Sequence, residues 1–230
     1  MKISRLCLDP ADHVVRAALA DPQRMHSLVM AAFPRTEGPA RAAMGVLHRV
    51  ELDDHGNCTL LVQSNSIPQW QHLPNSALVA RDRTSIEIRD LDADLATVQP
   101  DSILLFRVLA NPTRRIDTKT REDGRRRHGK RVPLRDHAAR VNWLLRKAAA
   151  AGFELVAGWS GEPNLRILDH AAVRGRRGTG DEARTVTIEG VTFEGVLRVT
   201  DVSAFRKAVT GGIGPARAYG FGMLSFRPMR

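Results

Sequence analysis

An order of elements that occurs twice narrows the possible folds more than any other feature of the chain. MKISRLCL opens as a strand, and Asp21 followed by Pro22 supplies an N-cap and a proline at the first helical position, predicting a helix through about Phe33. GVLHRVEL (45–52) and CTLLVQS (58–64) are strand-like runs joined by the turn-rich DDHGN, the signature of a hairpin. A segment around PNSALVA (74–80) is read as a second helix and TSIEIRDL (84–91) as a fourth strand. After Asp101 the order repeats. SILLFRVLAN is a strand, and DHAARVNWLLRKAAAAG is a helix capped by Asp136 and stopped by Gly152. FELVAGW and the alternating RTVTIEGVTFEGVLRVT are strands, 201–210 is a helix with Val202, Phe205, Ala208 and Val209 on one side, and GFGMLSF closes the set. Two passes of β-α-β-β-α-β predict an α+β chain of tandem ferredoxin-like (RRM-like) domains, 1–98 and 99–230, dividing near residues 95–101. With 230 residues and 43% hydrophobic content there is apolar material for two cores.

Charge is distributed unevenly over this frame. Lys and Arg total 35 against 25 Asp and Glu, a net charge of +10 that favours a polyanionic partner. Residues 114–131, inside an insertion at 113–131 of the second domain, hold nine basic side chains: Arg114, Arg115, Lys119, Arg121, Arg125, Arg126, Arg127, Lys130 and Arg131. Three acidic residues (Asp117, Glu122, Asp123) leave the segment at +6. A solvated loop needs charge but not charge of one sign, and the excess of Arg over Lys suits bidentate contact with phosphate. Arg174, Arg176 and Arg177 in RGRRGTG either extend that surface or belong to an ordinary surface loop. Aromatic residues make up only 5% of the chain, with a single tyrosine, so stacking platforms for single strands are scarce and a structured RNA is the better fit. No apolar run approaches a membrane span, and the N-terminal MKISRLCLDP has no signal-peptide character, which predicts a cytoplasmic protein. Cys7 and Cys58 lie in strand-like runs and are read as reduced thiols. Neither a C-x-x-C nor an H-x-x-x-H pair occurs, so no metal site and no cofactor is expected.

Residues 210–222, TGGIGPARAYGFG, crowd five glycines and Arg217 into one segment. A P-loop would need Gly-Lys-Ser/Thr opening a helix, whereas these glycines follow a helix and precede a strand. Gly211 reads as a helix stop, and the remaining glycines suit close backbone approach to a phosphate chain. The stretch GGIGPARAYGFGMLSF resembles the C-terminal glycine-rich motif of the RAMP proteins of CRISPR systems, specifically the CasE endoribonucleases of the type I-E Cascade complex. GKRVPLRDHAARVNWLLRKAAAAGF (129–153) is similar to that family's basic loop running into a helix, and His26 in RMHSLVMAAFP matches an early histidine.

The resemblance implies a metal-independent endoribonuclease that binds the hairpin of CRISPR repeat RNA. It would cut the precursor at the 3′ base of the stem, leave a 2′,3′-cyclic phosphate and stay bound to the mature crRNA beside other Cascade subunits. By the same resemblance His26 is the general base or acid. Periodicity offers a second reading, since Val29, Met30 and Phe33 follow His26 at helical spacing and it would then border a buried face. The resemblance also implies RNA contacts at the basic insertion and at Gly212, Gly214, Arg217, Gly220 and Gly222. Relatives often carry a tyrosine one turn before the histidine, where this chain has Gln23. Arg24, as a cation, and Tyr219, as a proton donor, are the candidates for the missing partner. The rival reading is a non-catalytic RAMP-type RNA-binding subunit; a basic membrane-surface protein is a remote third. His128 is expected to assist phosphate contact, His48 and His137 to be ordinary structural placements, and Trp143 to be core.

Overall fold

A computed structural model describes residues 1–35, 40–116, 130–159, 161–177 and 184–229. In the first half, strand β1 (Lys2–Leu8) leads into α1 (His13–Ala20) and α2 (Pro22–Met30), then α3 (Ala40–Ala43), β2 (Leu47–Leu52), β3 (Cys58–Ser64) and β4 (Ile86–Asp90). The strands form one sheet in the order β2-β3-β1-β4, with every described pairing antiparallel. The helix predicted from Asp21 is α2, and ahead of it stands α1, which the sequence reading does not mark. Asp12 caps α1 by accepting from the backbone of Val14 and Val15, and Asp21 caps α2 by accepting from Gln23 N at 2.8 Å. Pro22 disfavours helical geometry at Asp21, so the chain breaks there and restarts. Val15 and Ala18 of α1, with Met25 and Val29 of α2, enter a core shared with Leu6, Leu8, Leu60 and Val62.

The helix expected around 74–80 is absent. The segment makes single 3-10 turns, including Trp70–His72 and Asn75–Ala77, and Leu78 leaves the turn to bridge Leu8. Trp70, Leu73, Ala77 and Leu78 are all buried there, so irregular backbone fills the layer that a second helix would occupy.

After α4 (Asp92–Ala96) the second half begins with β5 (Ile103–Ala110), and the basic insertion forms a hairpin of β6 (Thr113–Ile116) and β7 (Lys130–Pro133). Next come α5 (His137–Ala150), β8 (Phe153–Leu155), β9 (Leu165–Asp169), β10 (Val173–Arg177), β11 (Arg184–Ile188), β12 (Val191–Val199), α6 (Val202–Gly211) and β13 (Leu224–Pro228). The second sheet runs β13-β5-β12-β8, with β9 also pairing β12. With β5, β8, β12 and β13 as its four strands, this is the same permutation as the first sheet, so the chain is a tandem of ferredoxin-like folds. Asp136 and Asp201 cap α5 and α6 through Ala139 N and Ala204 N, as their sequences predict. The long run at 184–200 breaks at Glu189 and Gly190 into β11 and β12, and β11 pairs with β10, so RGRRGTG begins in a strand. FELVAGW contributes only three residues of strand, and the last strand starts at Leu224, not Gly220. Trp143, Phe153, Phe193 and Phe205 form the second core, which accounts for Trp143 as a packing residue. Cys7 and Cys58 are both free thiols. Among the described residues no helix is long and apolar enough to cross a membrane.

Polar contacts at the junction tie the halves together. Arg49, 4% exposed, gives Nε to Glu51 Oε1 at 3.0 Å and Nη1 to the Met223 carbonyl at 3.2 Å. Glu51 also receives Arg107 Nη1 at 2.8 Å, and Gln63 Nε2 reaches the Val209 carbonyl at 2.7 Å. These cations hold the Glu51 carboxyl below its usual range against the opposing effect of burial. Glu51→Ala would leave Arg49 buried without its carboxylate. We expect a loss of about 2–3 kcal/mol in denaturant unfolding, below the range for a fully enclosed pair because Glu51 is 30% exposed. An unchanged midpoint would show that the pair does not support the junction.

Candidate active site

His26 sits in the middle of α2, half-buried, on a helix whose Met25 and Val29 are anchored in the first core. That anchoring fixes the imidazole against the second half of the chain, because α2 packs against the 3-10 turn Arg217–Tyr219 of the glycine-rich loop and against β10. His26 therefore borders a buried face, as its helical spacing predicts, and that face also brings Arg41 and His48 close to it. Arg41 of α3 and His48 of β2 complete the cluster. The Arg41 charge acts on both imidazoles, and the charge of His26 acts on His48. Arg41 itself donates Nη1 to the Val46 carbonyl at 3.0 Å, and Arg217 donates Nε to the Gly214 carbonyl at 3.0 Å.

The electrostatics of the cluster are one-sided. Burial first, then the Arg41 charge, lowers the His26 pKa, so its imidazole is neutral at neutral pH. His48, 1% exposed, is pushed down to about 3 by burial, with the charges of His26 and Arg41 adding to the effect. Burial and the adjacent Arg217 weigh against the Arg41 cation, but a guanidinium keeps its proton at neutral pH. Neutral imidazole beside two held guanidiniums is a site able to accept a proton and to stabilise negative charge developing near it. His26 Nδ1 and His48 Nε2 are both buried and without a hydrogen-bond partner.

The glycine-rich loop is shaped by contacts inside the protein. Gly222, at φ +88°, makes a close contact with Ile213, whose N donates to the Gly222 carbonyl at 2.8 Å; a Cβ there would lie 2.6 Å from the Ile213 carbonyl oxygen. Gly220, at φ +87°, lies over His48, whose Nε2 would be 3.4 Å from an added Cβ. A Cβ at Gly214 would come within 3.0 Å of Trp143, and one at Gly212 within 3.1 Å of Leu47. Close approach is thus required, as the sequence predicts, but these approaches are to the protein's own backbone and side chains. A cavity of about 450 Å³ opens beside the loop, lined in part by Lys147, Lys207, Gly212, Gly214 and Arg217. A separate cleft of about 510 Å³ lies between the two sheets, where Arg5, Arg49 and Arg107 are already paired with Glu87, Glu51 and Glu194; His26 is not among its walls.

Other candidates distribute unevenly. Tyr219 is half-buried on the turn that packs against α2 and β2, so it belongs to the same neighbourhood. Arg24 does not: it is exposed, and two positions along a helix places it about 200° around the axis from His26. Gln23, one turn before His26, is half-buried. Arg114, Arg115 and Arg131 are exposed on the β6-β7 hairpin, with Arg115 directly opposite Arg131. Lys130 pairs through its backbone with Ile116. Lys119, Arg121, Arg125, Arg126, Arg127 and His128 lie outside the described residues. Arg174 is exposed on β10. Among the described residues no group of three or more His, Cys, Asp or Glu side chains gathers as a cation site. Sequence reasoning misses Arg41, which no motif marks, and sets His48 aside as structural; strand alternation shows that His48 is a polar residue in a buried strand, but not what it faces.

The chain is similar to known proteins over nearly its whole length. A family model described as CRISPR associated protein matches residues 1–228. The chain is 31% identical over 232 residues to the CRISPR-associated endoribonuclease Cse3 of Thermus thermophilus, covering 99% of this chain and 100% of that one. It is 32% identical over 218 residues to the Cascade subunit CasE of Escherichia coli, covering 94% and 96%. A solved structure of the endoribonuclease Cse3 bound to a 19-nucleotide RNA superposes with a TM-score of 0.80 at 30% identity, covering 99% of this chain and 100% of that one. The chain belongs to the CasE family of CRISPR-associated proteins.

Proposed function

We propose that this chain is a metal-independent endoribonuclease that binds the hairpin of CRISPR repeat RNA, cleaves the precursor at the 3′ base of the stem, and keeps the product as a subunit of Cascade. The observation that carries the reading is the neutral His26 imidazole beside Arg41 and Arg217, at the seam where α2 meets the glycine-rich loop. RNA supplies its own nucleophile, so the protein has only to align the 2′-hydroxyl, take its proton and stabilise charge on the phosphorane. His26 takes the proton. Arg41 and Arg217 face the developing charge, and Tyr219 is the candidate to protonate the 5′-oxygen. The products are a 2′,3′-cyclic phosphate and a 5′-hydroxyl. The basic hairpin supports stem binding for a physical reason: Arg115 and Arg131 are cross-strand neighbours of like charge, an arrangement that costs stability until an anion lies across it. We assign residues 1–98 and 99–230 as the two domains and the cytoplasm as the compartment.

A second reading, RNA binding without turnover, rests on Gln23 standing where relatives often carry a tyrosine. A repeat hairpin incubated with the protein in EDTA separates the two. A shorter product means enzyme, and a shifted but intact RNA means scaffold.

His26→Ala is expected to slow single-turnover cleavage by about 10²–10⁴-fold while leaving hairpin affinity near its starting value; unimpaired cleavage would remove His26 from the chemistry. Because burial and Arg41 lower its pKa, a basic His26 works at lower pH than a free imidazole would. The cleavage rate should rise along an acid limb centred below pH 6.5, the ordinary value for a histidine, and then level off. An acid limb centred above that value would contradict the assignment. Replacing Arg115 and Arg131 together by Ala should make the dependence of log affinity on log salt shallower by about 2; an unchanged slope would take the hairpin out of the interface.

A further inference from the structure

Within the active site proposed above, and resting on that reading, one group has no assigned work. His48 is enclosed on the edge strand β2, its Nε2 lies beneath Gly220, and that nitrogen has no hydrogen-bond partner. His26 presents the matching deficiency, because its buried nitrogen Nδ1 is also without a partner. Buried polar atoms are rarely left unpaired, and two such nitrogens on neighbouring imidazoles in one site call for a common explanation.

We infer that His48 is a positioning residue: its Nε2 accepts a hydrogen bond from His26 Nδ1–H, directly or through one water molecule, and so turns the basic Nε2 of His26 toward the 2′-hydroxyl. A histidine tautomer is set by the bond its other nitrogen makes, and a fixed Nδ1–H leaves Nε2 free to take a proton. The balance is simple. The 2′-hydroxyl proton moves to His26 Nε2, while the Nδ1–H of His26 remains in place and donates in both the neutral and the charged state. His48 accepts a hydrogen bond throughout and never the proton, which agrees with a pKa of about 3. Gly220 fits the same picture, since its lack of a side chain lets the loop close over His48.

Around α2 the described groups include Arg41 on α3, His48 on β2, Arg217 and Tyr219 on the glycine-rich loop, Arg174 on β10, His13 and Arg16 on α1, and the exposed His72, whose Nε2 bonds the Leu28 carbonyl at 3.0 Å. Of the named groups only His48 offers an uncharged buried acceptor without a partner. His48→Phe keeps an aromatic ring and deletes the acceptor. It is expected to slow single-turnover cleavage by about 10–100-fold at unchanged hairpin affinity. It should also move the acid limb of the rate profile to lower pH, because the His26 cation loses a bond that stabilises it. His48→Gln retains an acceptor and should recover most of the rate and the position of the limb. Wild-type cleavage with an unmoved limb in His48→Phe would overturn the inference. A second measurement needs no variant: in protein labelled with ¹⁵N-histidine, two-bond ¹H–¹⁵N correlations above neutral pH should report His26 as the Nδ1–H tautomer, and the Nε2–H tautomer would overturn the inference even if His48→Phe failed to fold. His26→Ala run alongside keeps the two readings apart. If it cleaves normally, the active-site assignment itself fails; if it is inactive while His48→Phe is unaffected, only the role of His48 fails.

Discussion

Leu47, His48 and Arg49 are consecutive on the edge strand β2, yet each meets a different part of the segment that joins α6 to β13, and the site depends on that grip. Leu47 packs where Gly212 would carry a side chain, His48 lies under Gly220, and Arg49 holds the Met223 carbonyl. Edge strands expose unpaired backbone groups and must be managed. Here a loop from the other fold lies alongside β2, and the contact doubles as the wall of an active site. His26 is anchored by the first core and Arg217 by the second half's own loop, so their proximity is a property of the junction and of neither fold alone.

The junction also explains why unfavourable electrostatics gather there. Arg217 weighs against the Arg41 cation, His26 and His48 are kept uncharged by burial, and Arg115 faces Arg131 across a hairpin. None of these arrangements favours the isolated protein. Under the proposed function each becomes favourable when a phosphate chain supplies the missing negative charge, and groups held in place beforehand leave little reorganisation to the moment of reaction. Elsewhere the same residue types are neutralised: Arg49 and Arg107 share Glu51, and Arg135 is clasped by Glu189 through two nitrogens. The contrast separates cations that hold the fold together from cations proposed to meet RNA.

Much of the architecture is legible because it is written locally. Asp21, Asp136 and Asp201 each announce a helix by a cap that needs only the next few residues, and alternation marks the central strands. Asp12 carries the same kind of signal ahead of α1, and a reading that passes over it leaves that helix out. The segment near residue 75 has apolar content but no side-chain cap, and burial of Trp70 and Leu73 is achieved there without regular structure. At the site, His26 and the glycine-rich loop are recognisable as motifs. Arg24 is attractive for its closeness in sequence, which on a helix places it on another face. Arg41 and His48 reach the cluster through tertiary contacts between segments whose sequences carry no mark of each other, and no pattern within one element encodes that.

The grip of β2 on the glycine-rich loop has a consequence for how the protein is made. The loop follows every strand except β13, so during synthesis the first fold, His26 included, can be complete long before the residues that enclose it emerge. A nascent chain therefore carries His26 without its cage or the Arg217 cation, and the proposed active site is assembled only as the last strand takes its place.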